Sequence, residues 1–174
     1  MTIATLKTSD LHRVKVVLLG APAVGKTSLV RRFVHQVFDS EYQSTLGVKV
    51  DRKNVEVGEK TVNLLLWDVH GEAEGVVVTS SYLQGAHAAI LVVDATRPET
   101  IDVALGLGNR VRESSPGVDV YAVANKTDLD VNQPVLDAAL EAAGFESVLS
   151  TSAKTGEGVE DLFVALATAA AGTN

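Results

Sequence analysis

The 174-residue sequence is 46% hydrophobic, which suits one domain able to bury a core and argues against disorder. A net charge of -7 speaks against nucleic acid and anionic membranes as general partners. With no cysteine, no apolar signal core near the amino terminus and no long apolar run, disulfides, thiolate zinc sites and sulfur-linked lipid anchors are excluded, and a cytoplasmic protein is expected.

No repeat, low-complexity tract or linker interrupts the chain. Residues 14–19 form a β-rich apolar run that ends at Gly20, and residues 26–37 carry a helical pattern. Residues 48–57 and 62–67 read as strands joined by a turn at Gly58-Glu59-Lys60, too short a link for anything but an antiparallel pair. The nearly continuous apolar runs 88–93 and 118–124 suit central parallel strands. Helical patterns occupy 99–113, 134–143 and 159–170, and a last short strand fits 147–150. Strand alternating with helix predicts an α/β sheet with helices on both faces, whose ligands sit outside the carboxyl ends of the strands.

The strongest motif stands at the first of those ends. Residues 20–27 read GAPAVGKT, a phosphate-binding loop between a strand and a helix. Gly20 and Gly25 let the backbone wrap an anion, so that consecutive amides and the positive end of the next helix face it. Ala23, Val24, Gly25, Lys26, Thr27 and Ser28 are therefore the candidate phosphate ligands. Lys26 brings the positive charge an acidic chain needs, and the Thr27 hydroxyl suits magnesium. Three weaker segments follow at later strand ends. In Trp67-Asp68-Val69-His70-Gly71, Asp68 can hold magnesium and the Gly71 amide can approach a terminal phosphate. In Asn125-Lys126-Thr127-Asp128, the aspartate offers two acceptors to the paired N1 and N2 donors of guanine, which adenine lacks. In Thr151-Ser152-Ala153-Lys154, an unencumbered backbone amide can meet the guanine O6. Alone, each of the first two is more often a plain turn and the third is uninformative. All four in order, each at a strand end, are not plain turns.

Together with YQSTLGVKV, TSSYLQGAHAAILVVDAT and TGEGVEDLF, these segments make the chain resemble a Ras-superfamily small GTPase, closest to the Rab branch, from about residue 14 to 170. The resemblance implies a single small-GTPase G domain over residues 1–174, with its core at about 13–170. It implies a three-layer P-loop fold: a six-stranded, mostly parallel sheet with its second strand antiparallel and helices on both faces. GTP or GDP with Mg2+ would be bound. Thr45 matches the threonine that ligates magnesium only beside GTP, Tyr42 would close over the phosphates, and Phe38 would pack on guanine. Asn125, Lys126, Asp128 and Ala153, flanked by Ser152 and Lys154, match the base-recognition positions; Thr27, Thr45 and Asp68 match the metal positions. Catalysis would rest on Lys26 and on Glu72, in the place of the water-orienting glutamine, as water attacks the γ-phosphate. A monomer with protein effectors, and with activating and exchange proteins, is expected.

The departures from that pattern are specific. An ionised Glu72 can accept a hydrogen bond from water but cannot donate one to phosphate, and repulsion by phosphate should raise its pKa. His70 replaces a small residue, Pro22 contributes no amide to the loop, and Gly75 falls where Rab proteins carry an aromatic used by effectors. A chain without a cysteine-bearing tail resembles the Ras-like GTPases of bacteria and archaea. Two readings follow: a hydrolysing switch, which the intact phosphate, magnesium and base elements favour, and a nucleotide-binding module that barely hydrolyses. An ATPase is disfavoured by Asp128. Trp67 is expected in the core, His12, His35 and His87 in packing or surface roles, and Arg31-Arg32 on a solvated helix face.

Overall fold

The computed structural model describes residues 11–40, 47–69, 80–145 and 147–172. In chain order these form β1 (Leu11–Leu19), α1 (Lys26–His35), β2 (Val48–Val57), β3 (Lys60–Val69), α2 (Ser80–Leu83), β4 (Ala88–Asp94), α3 (Glu99–Ser114), β5 (Asp119–Asn125), α4 (Gln133–Ala142), β6 (Val148–Ser150) and α5 (Val159–Gly172). The strands make one sheet in the order β2-β3-β1-β4-β5-β6. Only the β2–β3 pair among them is antiparallel. The expected topology is therefore present.

Side-chain alternation explains why the sheet is covered twice. Val14, Val16 and Leu18 of β1 enter one apolar cluster, and Val17 and Leu19 enter the other. Every residue of β4 is buried. On the first face α1 contributes Leu29, Val30 and Phe33, an amphipathic stripe at helical spacing. Phe33 stacks on Phe163 of α5 with ring centroids 4.3 Å apart. Truncating either fully buried ring should cost about 3–5 kcal/mol. Ile101, Leu107 and Val111 of α3 and Leu136 and Leu140 of α4 close the second face.

Element ends depart from the sequence reading for local reasons. Helix α1 stops at His35 rather than residue 37 because Gln36 adopts a left-handed conformation and its amide caps the Arg32 carbonyl at 3.0 Å. Lys60 belongs to β3, opposite Val57, leaving Gly58-Glu59 as a two-residue hairpin loop. Helix α2, which carried no expectation, spans only four residues. Trp67 packs against the second apolar cluster, at its edge rather than inside it. It is half-buried, with the Lys15 ammonium 3.7 Å from its ring centroid. The histidines fill packing and surface places: the His87 Nδ1 accepts the Lys15 amide at 3.1 Å, and His35 lies 3.5 Å from Asp51. Among the described residues no helix is long and apolar enough to cross a membrane.

The chain reverses direction across the sheet beside β1, which leaves a crevice at the carboxyl ends of β1 and β4. Four of the sequence segments singled out above meet around it.

Candidate nucleotide site

Residues 20–25 leave β1 and turn into α1, and each of their carbonyls has a defined donor. Gly20 and Ala21 both accept from the Lys26 ammonium at 2.9 Å. Pro22 accepts from the Arg97 guanidinium at 2.9 Å, Ala23 from the Lys126 ammonium at 2.7 Å, and Val24 from the Asn125 amide at 3.0 Å. Gly25 accepts the Leu29 amide at 2.9 Å, the first bond of α1. Among the described residues no peptide bond is cis, so each N–H in this loop points opposite to the carbonyl of its own peptide unit. Tying the carbonyls of residues 22–25 to the protein thus turns the amides of Ala23, Val24, Gly25 and Lys26 the other way, as an anion cradle.

Both loop glycines are dictated by space and conformation. A Cβ on Gly20 would lie 2.4 Å from the Val92 carbonyl oxygen, and one on Gly25 2.3 Å from Asn125 Nδ2, at a φ of 101°. Ala23, by contrast, takes a left-handed φ of 62° with a Cβ present, at a cost of roughly 1–2 kcal/mol. A charge-assisted hydrogen bond contributes about 1.5–3 kcal/mol, so the Lys126 bond to Ala23 suffices to hold that conformation.

Asp94, at the end of β4, organises two of these donors. Its side chain is 2% exposed, with Lys126 Nζ at 2.6 Å and Arg97 Nε at 3.1 Å from Oδ2. Oδ1 accepts the Thr96 amide at 2.9 Å and the Thr96 hydroxyl at 2.6 Å. Burial pushes this carboxyl up, but the bonds from Lys126, Thr96 and Arg97 prevail and hold it below the usual carboxylate range. Neither Asp94 nor Arg97 was assigned a role from sequence. The available signal was an acidic residue closing the otherwise apolar run AAILVV, since a buried carboxylate requires partners.

Thr27 and Asp68 meet beside the cradle. The Thr27 hydroxyl donates to Asp68 Oδ2 at 2.5 Å, while Oδ1 is buried without a hydrogen-bond partner among the described residues. Burial raises the Asp68 carboxyl above its ordinary value, against the Thr27 bond and the charges of Lys26 and Lys49. A hydroxyl beside an unsatisfied carboxylate oxygen is a hard, all-oxygen donor set that fits magnesium.

The segments after β5 and β6 are cross-braced. Asn125, 1% exposed, gives its amide nitrogen to Val24, and its Oδ1 accepts the Thr151 hydroxyl and the Ala153 amide, both at 3.2 Å. The Ala153 amide is therefore not unencumbered. Asn125 serves as a strut between the loop of residues 20–25 and residues 151–153. Asp128 is exposed, and Ser152 fixes it by donating to Oδ1 at 2.6 Å. Arg32 corrects the expectation of a solvated Arg31-Arg32 face: its Nε donates to the Ala153 carbonyl at 2.7 Å and a terminal nitrogen to Lys154. Only tertiary proximity reveals that role. Arg31 pairs with Asp39 at 3.7 Å, as a surface residue does.

Ser28 is half-buried in the first turn of α1, and Phe38 is 39% exposed beyond its end. Tyr42, Thr45, His70, Gly71, Glu72 and Gly75 lie outside the described residues.

The sequence matches the family model described as Ras family over residues 15–171. It is 37% identical over 156 residues to "Ras-related protein Rab-4B" of Homo sapiens, covering 86% of this chain and 72% of that protein. It is 36% identical over 157 residues to "GTP-binding protein YPTM2" of Zea mays, covering 88% and 77%. Identity to "Ras-related protein Rab-1D" of Dictyostelium discoideum is 35% over 158 residues, with the same two coverages.

Proposed function

The chain belongs to the Ras family of GTP-binding, GTP-hydrolysing switch proteins, and we propose that its nucleotide lies across the carboxyl ends of β1, β3, β5 and β6. The outward-tied carbonyls of residues 22–25 carry this reading, because they leave a row of amides for phosphate. Lys26, already within the loop, moves from two carbonyls to the outer phosphates at little cost, as one set of hydrogen bonds replaces another.

Asp128 reads the N1 and N2 donors of guanine while Ser152 holds its second acceptor in place. The amides of Ala153 and Lys154 border the O6 edge; the 3.2 Å bond of Ala153 to Asn125 is long enough to be shared. Phe38 has the exposure needed to stack on the base. Thr27 and Asp68 hold Mg2+, joined by Thr45 in the triphosphate state. When bound, the ion neutralises charge that builds between the outer phosphates. Tyr42 and Gly71 cover and read the γ-phosphate. Glu72 orients the water that attacks it, forming a new P–O bond as the bond to the leaving GDP breaks. Protein effectors then distinguish the two nucleotide states, and exchange and activating proteins move the chain between them. We take it to work as one G domain, as a monomer in the cytoplasm.

Single-turnover GTP hydrolysis with magnesium tests the assignment. Lys26→Ala should lose most nucleotide binding. Glu72→Ala should bind normally yet hydrolyse more slowly, by on the order of a hundredfold. An alanine variant as fast as the native chain would remove Glu72 from the mechanism.

A further inference from the structure

Pro22 leaves a gap in the amide row, because the unit joining Ala21 to Pro22 has no N–H to offer. The next amide available to phosphate is that of Ala23, and its direction is fixed by the carbonyl of the same peptide unit, Pro22 C=O. The donor to that carbonyl is Arg97 at 2.9 Å. Arg97 does not belong to any of the segments first read as a phosphate, metal or base motif. It stands in the turn between β4 and α3, pinned there by its own amide bond to the Asp94 carbonyl at 2.9 Å and by the Thr100 amide bond to its carbonyl at 3.0 Å.

The guanidinium is aimed by two separate contacts. Nε faces Asp94 Oδ2 at 3.1 Å, and Asp94 cannot swing because Thr96 holds its other oxygen through both amide and hydroxyl. A terminal nitrogen of the same rigid plane then meets Pro22. Asp94 also receives Lys126, which grips the following carbonyl, Ala23. One buried carboxylate thus sets both donors that turn two successive peptide units of a loop strained at Ala23. A lysine could occupy either contact of Arg97 but not both in one fixed plane.

We propose that Arg97 is a positioning residue for phosphate binding: held by Asp94, it draws the Pro22 carbonyl outward and so aims the Ala23 amide at the β- and γ-phosphates. This rests on the reading of residues 20–27 as the phosphate site. Its action is directed at the outer phosphates, so its removal weakens diphosphate and triphosphate binding and leaves the guanosine monophosphate contacts in place. A merely structural role would weaken all three together.

The test is calorimetric titration of GMP, GDP and GTP, each with magnesium, into the full chain and into Arg97→Ala, Arg97→Lys and Lys26→Ala. Arg97→Ala should weaken GDP and GTP about tenfold, equivalent to about 1.4 kcal/mol, with GMP changed less than about twofold. Loss of a nearby cation would also weaken polyphosphates, which is what Arg97→Lys separates. It should recover no more than about a third of the tenfold loss. Equal losses for GMP and GDP, unchanged GDP affinity, or full recovery by lysine would overturn the proposal. Lys26→Ala probes the underlying reading: if it spares GDP, the phosphate site itself is misassigned, whatever Arg97 does.

Discussion

Asp94 is a fully buried carboxylate with four hydrogen-bonding contacts, and its charge has consequences for stability. Its carboxyl is held below the ordinary value near 4, so the unfolded chain binds the extra proton first. Its contribution is complete above about pH 5 and disappears as pH falls through the depressed native value. Urea denaturation between about pH 5 and 3 should therefore show a steeper loss of stability for the native chain than for Asp94→Asn. Parallel curves would show that the carboxylate contributes nothing in that window. Gly25 and Asp128 could be singled out in the sequence because their signals are local: a glycine where the backbone takes a φ of 101°, and a carboxylate in an Asn-Lys-x-Asp turn. Asp94, Arg97 and Arg32 were not. The one local signal was the acid that closes the apolar run AAILVV; the contacts that define their roles, to Lys126, to the Pro22 carbonyl and to residues 153 and 154, reach segments distant in the chain.

At the scale of elements, the long apolar runs gave strands and the 3.6-residue patterns gave helices, with ends displaced by a few residues at most. Those displacements have causes that periodicity does not register, such as the left-handed Gln36 that stops α1 or the parallel pairing with β3 that extends β1 back to Leu11. Helix α2 was missed because four residues hold no period. Trp67 meets the core expectation only in part: its ring packs against the second cluster but stays half-buried, with a lysine over its face. Helix α1 does more than supply a positive amino end: six residues after Lys26, Arg32 fastens the segment that follows β6. Arg32→Ala should lower unfolding stability by about 1.5–3 kcal/mol, the range for charge-assisted bonds. It should also speed GDP dissociation about tenfold if residues 153 and 154 border the base. A stable variant with unchanged dissociation would show that the tie matters only to surface packing.

Across the whole molecule, the proposed site draws on five strand ends, and each would supply a different part of the chemistry: the anion cradle after β1, Asp68 of β3 with Thr27 for the metal, the Asp94 brace at the end of β4, and the base segments after β5 and β6. In the proposed binding mode, this is how a chain of net charge -7 would hold a polyanion. Lys26, Arg97, Lys126 and Arg32 are gathered at the site, and three of them are held by backbone carbonyls in the phosphate loop itself. The central claim is that this crevice selects guanine through Asp128. Competition binding of GTP, ATP and xanthosine triphosphate to the native chain and to Asp128→Asn tests it most directly. A site built to pair two base donors should favour GTP over ATP by about 10^4-fold, and the asparagine variant should lose GTP while gaining xanthosine triphosphate, whose ring carries an acceptor in place of the amino group. Comparable affinity of the native chain for ATP and GTP, or an Asp128→Asn variant with unaltered preference, would contradict the account.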